Sequence, residues 1–219
     1  ATGNIDNINV HASGYLDIAS AYIQGAVGSL SVTNGIAPSS YNELNINNDI
    51  SVSADGFYTR SYLDINHVNL NSVDVNVITG NTNDYAGAYL TINNATGNIY
   101  SLDIEANGYS SVASAYISGD LTITSGELNL YANGEYSSVY LNLDGNVNLD
   151  NTNIHVNAYG NSTFVSLDLY NGITGSIHDL SVKAEGNYAS GYAYVSGDVT
   201  INGDITVAAT EDRKSTRLN

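Results

Sequence analysis

One spacing governs this sequence. Val52, Ile78, Ile104, Leu130, Val156 and Val182 follow one another at intervals of 26 residues. Two residues beyond each stands a small residue: Ala54, Gly80, Ala106, Ala132, Ala158 and Ala184. Two further on come Gly56, Thr82, Gly108, Gly134, Gly160 and Gly186. An earlier copy, Val10-His11-Ala12-Ser13-Gly14-Tyr15, precedes Val52 by 42 residues, so 16 extra residues separate it from the array. A fixed period of this length marks like units in series, each burying its apolar face only against its neighbours.

Inside each unit the period is two. Val139, Leu141 and Leu143 alternate with polar residues, and so do Ala193, Val195, Val199, Ile201, Ile205 and Val207. Strict alternation describes strands with one side-chain set turned inward. No window of useful length has a 3.6-residue period, and the Gly, Asn, Ser and Thr content disfavours helix. Each unit therefore holds about three short strands between Gly/Asn turns. The expected fold is all-β: a parallel β-solenoid, right-handed by the usual crossover rule, with one unit per coil. Roughly eight coils stacked about 4.8 Å apart make a rod of about 40 Å. Asn81, Asn107 and Asn133 would form an amide ladder at one turn. A meander of antiparallel hairpins explains the alternation equally well, but not a period held for so long.

The domain reading is a single repeat array over residues 1–211, with an irregular insert near 36–48 that holds the only proline, Pro38. Residues 212–219, Asp-Arg-Lys-Ser-Thr-Arg-Leu-Asn, match nothing else in the chain. They read codon for codon as a translated sequencing adapter, as at the end of an assembled contig, and the expectation is a non-native tail that frays. The chain has no Met and opens Ala1-Thr2-Gly3 without a leader-like segment. It is expected to be a piece of a longer protein.

Composition narrows the function. The chain carries 22 acidic and 5 basic side chains, a net charge of −17, which argues against nucleic acid and anionic membranes as partners. No apolar run approaches the roughly 18 residues of a membrane-spanning helix. With no Cys there is no disulfide framework, thiolate metal site or cysteine nucleophile.

Tyrosine is the unusual residue, used 18 times against two Phe. Tyr22, Tyr62, Tyr89, Tyr116, Tyr140 and Tyr194 sit at or within two residues of equivalent positions. They are candidate ligand-binding residues, because a stack of exposed rings can lie against sugar faces. The plainer explanation is that stacked Tyr favours β structure through cross-strand pairs. Asp120, Asp144, Asp198 and Asp204 each lie beside a turn glycine and are weak candidates for calcium; no EF-hand or nonapeptide calcium loop accompanies them. No other metal or cofactor is indicated: His11, His67, His155 and His178 share no column and no ligand spacing. Arg60 and Lys183 are the only bases outside the tail and lie in distant units, so they cannot act together as a lyase would need. A catalytic site needs a locally unique constellation, and the units are nearly uniform. The expectation is not an enzyme. Thr122-Ile123-Thr124 has the T-x-T form of ice-binding solenoids, but one period later stands Asn148-Leu149-Asp150.

The blocks Leu128-Asn129-Leu130-Tyr131-Ala132-Asn133-Gly134, Asp120-Leu121-Thr122-Ile123-Thr124-Ser125-Gly126 and Gly145-Asn146-Val147-Asn148-Leu149-Asp150-Asn151-Thr152 resemble the repeats of bacterial secreted adhesins, namely filamentous-haemagglutinin-like exoproteins and autotransporter passenger domains. The resemblance spans roughly residues 5–210. It implies a non-catalytic rod segment of an extracellular or cell-surface adhesin, with glycans or other cell-surface ligands as partners. High Tyr content departs from that family. Two other readings stand beside it: a carbohydrate-binding solenoid using a Tyr-rich face, and an extracellular fibre subunit that self-associates end to end.

Overall fold

The computed structural model describes residues 3–15, 18–24, 44–80, 85–124, 126–210 and 215–218. Strands make up nearly all of them, and there is no helix among them. Every strand pairing is parallel, which removes the hairpin alternative. The chain is a parallel β-solenoid, with about six turns recurring about 26 residues apart. One turn precedes them with the strands Gly3–Ile5, Ile8–Tyr15 and Ile18–Gln24, and a last rung follows with Ile205–Thr210 and Ser215–Leu218.

Each turn has three sides. In one turn the first side is residues 96–99, the second 101–107 and the third 110–117. At some corners the strand hydrogen bonding continues. The strands Tyr85–Asn107 and Ser162–Glu185 each run round two of them, so the sixteen strands form one connected sheet. Between the third and first sides the turn needs a left-handed residue. His67 (φ 52°), Asn94 (φ 50°), Gly119 (φ 141°), Gly145 (φ 97°) and Asn171 (φ 59°) supply it in successive turns. Gly and Asn reach that conformation at low cost, which explains their abundance.

The core is a set of columns along the axis. On the second side Val52, Val77, Ile104, Leu130, Val156 and Val182 stack in register, all with no exposed surface. Beside them run Ala54, Thr79, Ala106, Ala132, Ala158 and Ala184. On the third side Ile65, Ile92, Ile117, Leu143 and Leu169 form a further buried column. A single turn has no core of its own, so stability comes from stacking.

One inward position differs from the strict 26-residue reading. Val77, not Ile78, pairs with Val52 and Ile104, and Thr79, not Gly80, fills the small-residue column. The local spacing is 25 and then 27 residues. The interval before Val77 is thus one residue short and the one after it one residue long, so the slip is confined to this turn. A one-residue shift turns every side chain to the opposite face. Ile78 accordingly points outward between Ser53 and Glu105. Thr79 turns inward, where its hydroxyl donates to the Gly87 carbonyl at 2.8 Å.

The 36–48 insert is shorter at its C-terminal end than expected. Leu44–Ile46 is a regular strand between Gly3–Ile5 and the start of Asn69–Gly80, with Leu44 and Ile46 buried. Residues 25–43, Pro38 included, lie outside the described residues. Of the tail, Ser215–Leu218 forms a strand beside Ser190–Ala193, so the array continues there where fraying was expected.

The asparagine ladder is partly as expected. Asn133 Nδ2 donates to Asn107 Oδ1 at 3.1 Å. Asn81 lies outside the described residues, and Gly80 holds the register position beside Asn107. A longer ladder runs along the first side. Asn69 donates to Asn45 at 2.8 Å, Asn45 to Asn4 at 3.1 Å, and the Thr96 hydroxyl to Asn69 at 3.3 Å.

Candidate functional site

The three sides differ in chemistry. Outward residues of the first side are mostly Asn and Thr, as in Asn98, Thr122, Asn148 and Thr174. The second side is acidic: Asp74, Asp103, Glu105, Glu127 and Glu185 all project from it. The third side carries most of the tyrosines. Six were expected to share roughly one position there, and the register resolves them into two columns. Tyr62, Tyr89 and Tyr140 belong to one; Tyr22, Tyr116 and Tyr194 belong to the next, two residues further along the strand. Tyr22 (64%), Tyr140 (40%) and Tyr194 (36%) are exposed, while Tyr62, Tyr89 and Tyr116 are half-buried.

Local packing explains the half-buried ones. Tyr62 and Tyr89 lie on adjacent rungs and stack with centroids 4.9 Å apart and planes 12° apart. Tyr116 donates its hydroxyl to Asp144 at 3.3 Å. Burial raises the Tyr89 pKa above the usual phenol range, and the neighbouring Tyr62 and Tyr85 add to the shift.

A second set of tyrosines does not follow the 26-residue period. Tyr58, Tyr85, Tyr136 and Tyr188 stand at the entry to the third side, four residues before Tyr62, Tyr89, Tyr140 and Tyr192. The register makes a checkerboard of them. Rungs of the form Tyr85-x-Gly87-x-Tyr89, Tyr136-x-Ser138-x-Tyr140 and Tyr188-x-Ser190-x-Tyr192 alternate with Ser110-x-Val112-x-Ser114 and Ser162-x-Phe164-x-Ser166. Where the flanks are large the centre is small, and the reverse. The signal is in the sequence as Tyr-x-small-x-Tyr recurring every second unit, after 51 and then 52 residues, which a single 26-residue period does not carry. Further aromatic contacts tie the surface together. Tyr140 meets Phe164 at 5.5 Å, Tyr109 meets Tyr136 edge-on at 5.5 Å, and the Arg60 guanidinium lies 5.7 Å from the Tyr85 ring. Ile18, Tyr58, Arg60 and Tyr85 line a shallow depression at one end of this side.

The four calcium candidates are dispersed. Asp120 accepts from Asn146 Nδ2 at 2.7 Å on the first side, and Asp144 accepts from Asn171 Nδ2 at 3.0 Å at a corner. Asp198 registers with Thr174, and the Asp204 backbone N–H donates to Asp179 at 2.8 Å. Among the described residues no three His or acidic side chains converge on one point. Of the histidines, His11 meets Ser53 at 2.9 Å and His178 meets Asp179 at 3.2 Å. Arg60 and Lys183 project from different sides, third and second.

The second side holds the clearest electrostatic strain. The Asp103 carboxyl has a raised pKa, chiefly through burial and then through repulsion from Glu105 and Glu127. Asp179 is shifted the other way, first by the donated Asp204 N–H and then by His178. No protein-family model, curated protein or solved structure matches this chain.

Proposed function

We propose that this chain is a non-catalytic structural segment of a secreted or cell-surface adhesin, a rod that spaces and displays many weak contacts. The observation that carries this reading is the unbroken register of the inward columns from Val52 to Val182. Turns sharing one core resist bending and shear as a unit, which suits a stalk under load. Successive turns also repeat the same three chemistries on the same three sides, and repetition favours avidity over a single strong site.

The test is multivalent. Beads bearing many copies should be retained under flow on a ligand-bearing surface while the soluble monomer binds only weakly. No retention at any coating density would overturn the adhesin reading.

A second reading is favoured by a specific observation, the segregation of tyrosine onto the third side. There the chain would be a carbohydrate-binding solenoid, its rings meeting sugar faces and its Ser, Thr and Asn hydroxyls and amides meeting sugar hydroxyls. The two readings are compatible, since a display rod needs something to display.

A further inference from the structure

The alternation on the third side has an axial length. Rungs of a parallel sheet lie about 4.8 Å apart, so rings recurring on every second rung lie about 9.6 Å apart along the axis. Tyr85, Tyr136 and Tyr188 make one such row, and Tyr89, Tyr140 and Tyr192 another. The rows are four residues apart on the strand, about 13 Å. Packing does not force the alternation: Tyr62 and Tyr89 show that tyrosines on adjacent rungs stack without difficulty. Small residues stand between the rings instead, Ser110 and Ser162 in one row and Ser114 and Ser166 in the other. Tyr85 is 39%, Tyr136 50% and Tyr188 56% exposed, so each ring of this row offers surface to solvent.

We propose that this surface binds an extended, uncharged β-1,4-linked glycan laid along the solenoid axis. The inference rests on the carbohydrate-binding reading above and sharpens it. In such a glycan alternate sugars are turned over, so like faces recur once per disaccharide, a length close to two rungs. One disaccharide then meets one Tyr rung and one Ser rung, with a sugar face against a ring and hydroxyls over Ser110 or Ser162. An α-linked glucan coils and loses this register within a few sugars. Charge selects an uncharged polymer. The checkerboard positions from Tyr85 to Tyr192 hold no charged side chain, with Arg60 beside Tyr85 and Asp168 beside Ser166 at its borders, while the acidic second side and the net charge of −17 repel polyanions.

The experiment titrates the whole chain with β-1,4-linked gluco- and N-acetylglucosamine oligosaccharides of two to six sugars, with maltohexaose and a polyuronate as comparisons. Affinity for at least one β-1,4 series should rise about tenfold or more from the disaccharide to the hexasaccharide, as added rungs engage. Tyr136→Ala with Tyr140→Ala, at the centre of both rows, should lose about tenfold with an unchanged far-ultraviolet spectrum. Ser114→Tyr, which places a ring between Tyr89 and Tyr140, should abolish the length dependence while the fold persists. Equal binding of maltohexaose, or tyrosine-dependent binding without length dependence, would overturn the axial match and leave the carbohydrate reading standing. Binding of none of these sugars would overturn both. Binding that ignores Tyr136 and Tyr140 would place the site elsewhere and overturn the proposal.

Discussion

Gly134 passes so close to Gly108 that a Cβ built on Gly134 would fall 1.6 Å from the Gly108 carbonyl oxygen. The same 1.6 Å approach recurs between Gly160 and Gly134 and between Gly186 and Gly160. The contact is a consequence of the corner, where each glycine N–H donates to the next turn, as Gly134 does to Tyr159 at 2.9 Å. Gly134→Ala meets backbone, which cannot swing aside, and it should cost about 2–4 kcal/mol. In calorimetry that is a fall in Tm of about 5–10 °C. Gly80→Ala is the matched control, because its Cβ would come no nearer than 3.9 Å to Asp55 Oδ1. Its Tm should change by less than about 2 °C, and equal losses for both variants would mean that the close approach is not the cause.

The slip at Val77 predicts a contrast between neighbours. Val77 has no exposed surface, whereas Ile78 lies outward. Val77→Asp buries an unpaired charge and should cost about 3 kcal/mol or more, enough to unfold neighbouring turns. Ile78→Asp should stay within about 1 kcal/mol of the parent. Chemical denaturation of the two variants decides the register: a larger loss for Ile78→Asp would restore the strict 26-residue alignment.

Shared columns make the damage from a core charge spread. Ile104 and Leu130 stack directly on one another, with Val77 below and Val156 above. Ile104→Asp or Leu130→Asp should therefore remove amide protection from several turns at once, because each turn depends on its neighbours for burial. Hydrogen exchange that showed loss confined to one turn, or a variant that melted like the parent, would sink the idea of a continuous core.

Most of the architecture was legible because parallel stacking converts a sequence period directly into a spatial column. Leu130, Val156 and Val182 fell where counting by 26 put them. Counting failed at Val77 because corners vary in length while the sides do not. There the alternation Val73, Val75, Val77 was the better guide, since it records the face directly. The tyrosine side was legible only in outline. Tyr62 and Tyr116 are equivalent in sequence to within two residues, but on a strand two residues separate adjacent columns, and Tyr85, Tyr136 and Tyr188 repeat every second turn. The acidic side was missed altogether. Asp103, Glu105 and Glu127 are scattered in sequence, and only the register between residues 102–107 and 128–133 brings them together.

That convergence predicts the pH dependence. The Asp103 carboxyl has a folded-state pKa above its ordinary value, from burial first and then from Glu105 and Glu127. The folded protein thus holds this proton more tightly than the unfolded chain does. Ionised Asp103 costs stability above its folded pKa, and the cost is relieved as pH falls through that value toward the unfolded one of about 3.9. Asp179 has the opposite sign. Its pKa is lowered by the Asp204 N–H and by His178, so it contributes stability above the ordinary value that is lost as pH falls through the folded one. Asp103→Asn should raise Tm at pH 7 by about 1–2 °C, the exposed half of the carboxylate being screened by water, and the gain should vanish below about pH 4. Asp179→Asn should lower Tm at pH 7, with the difference closing only in stronger acid. Melting both variants beside the parent from pH 3 to 8 separates these local effects from the overall negative charge, which all three proteins nearly share. A fall in Tm for Asp103→Asn at pH 7 would mean that the carboxylate is better accommodated on the acidic side than its neighbours Glu105 and Glu127 imply.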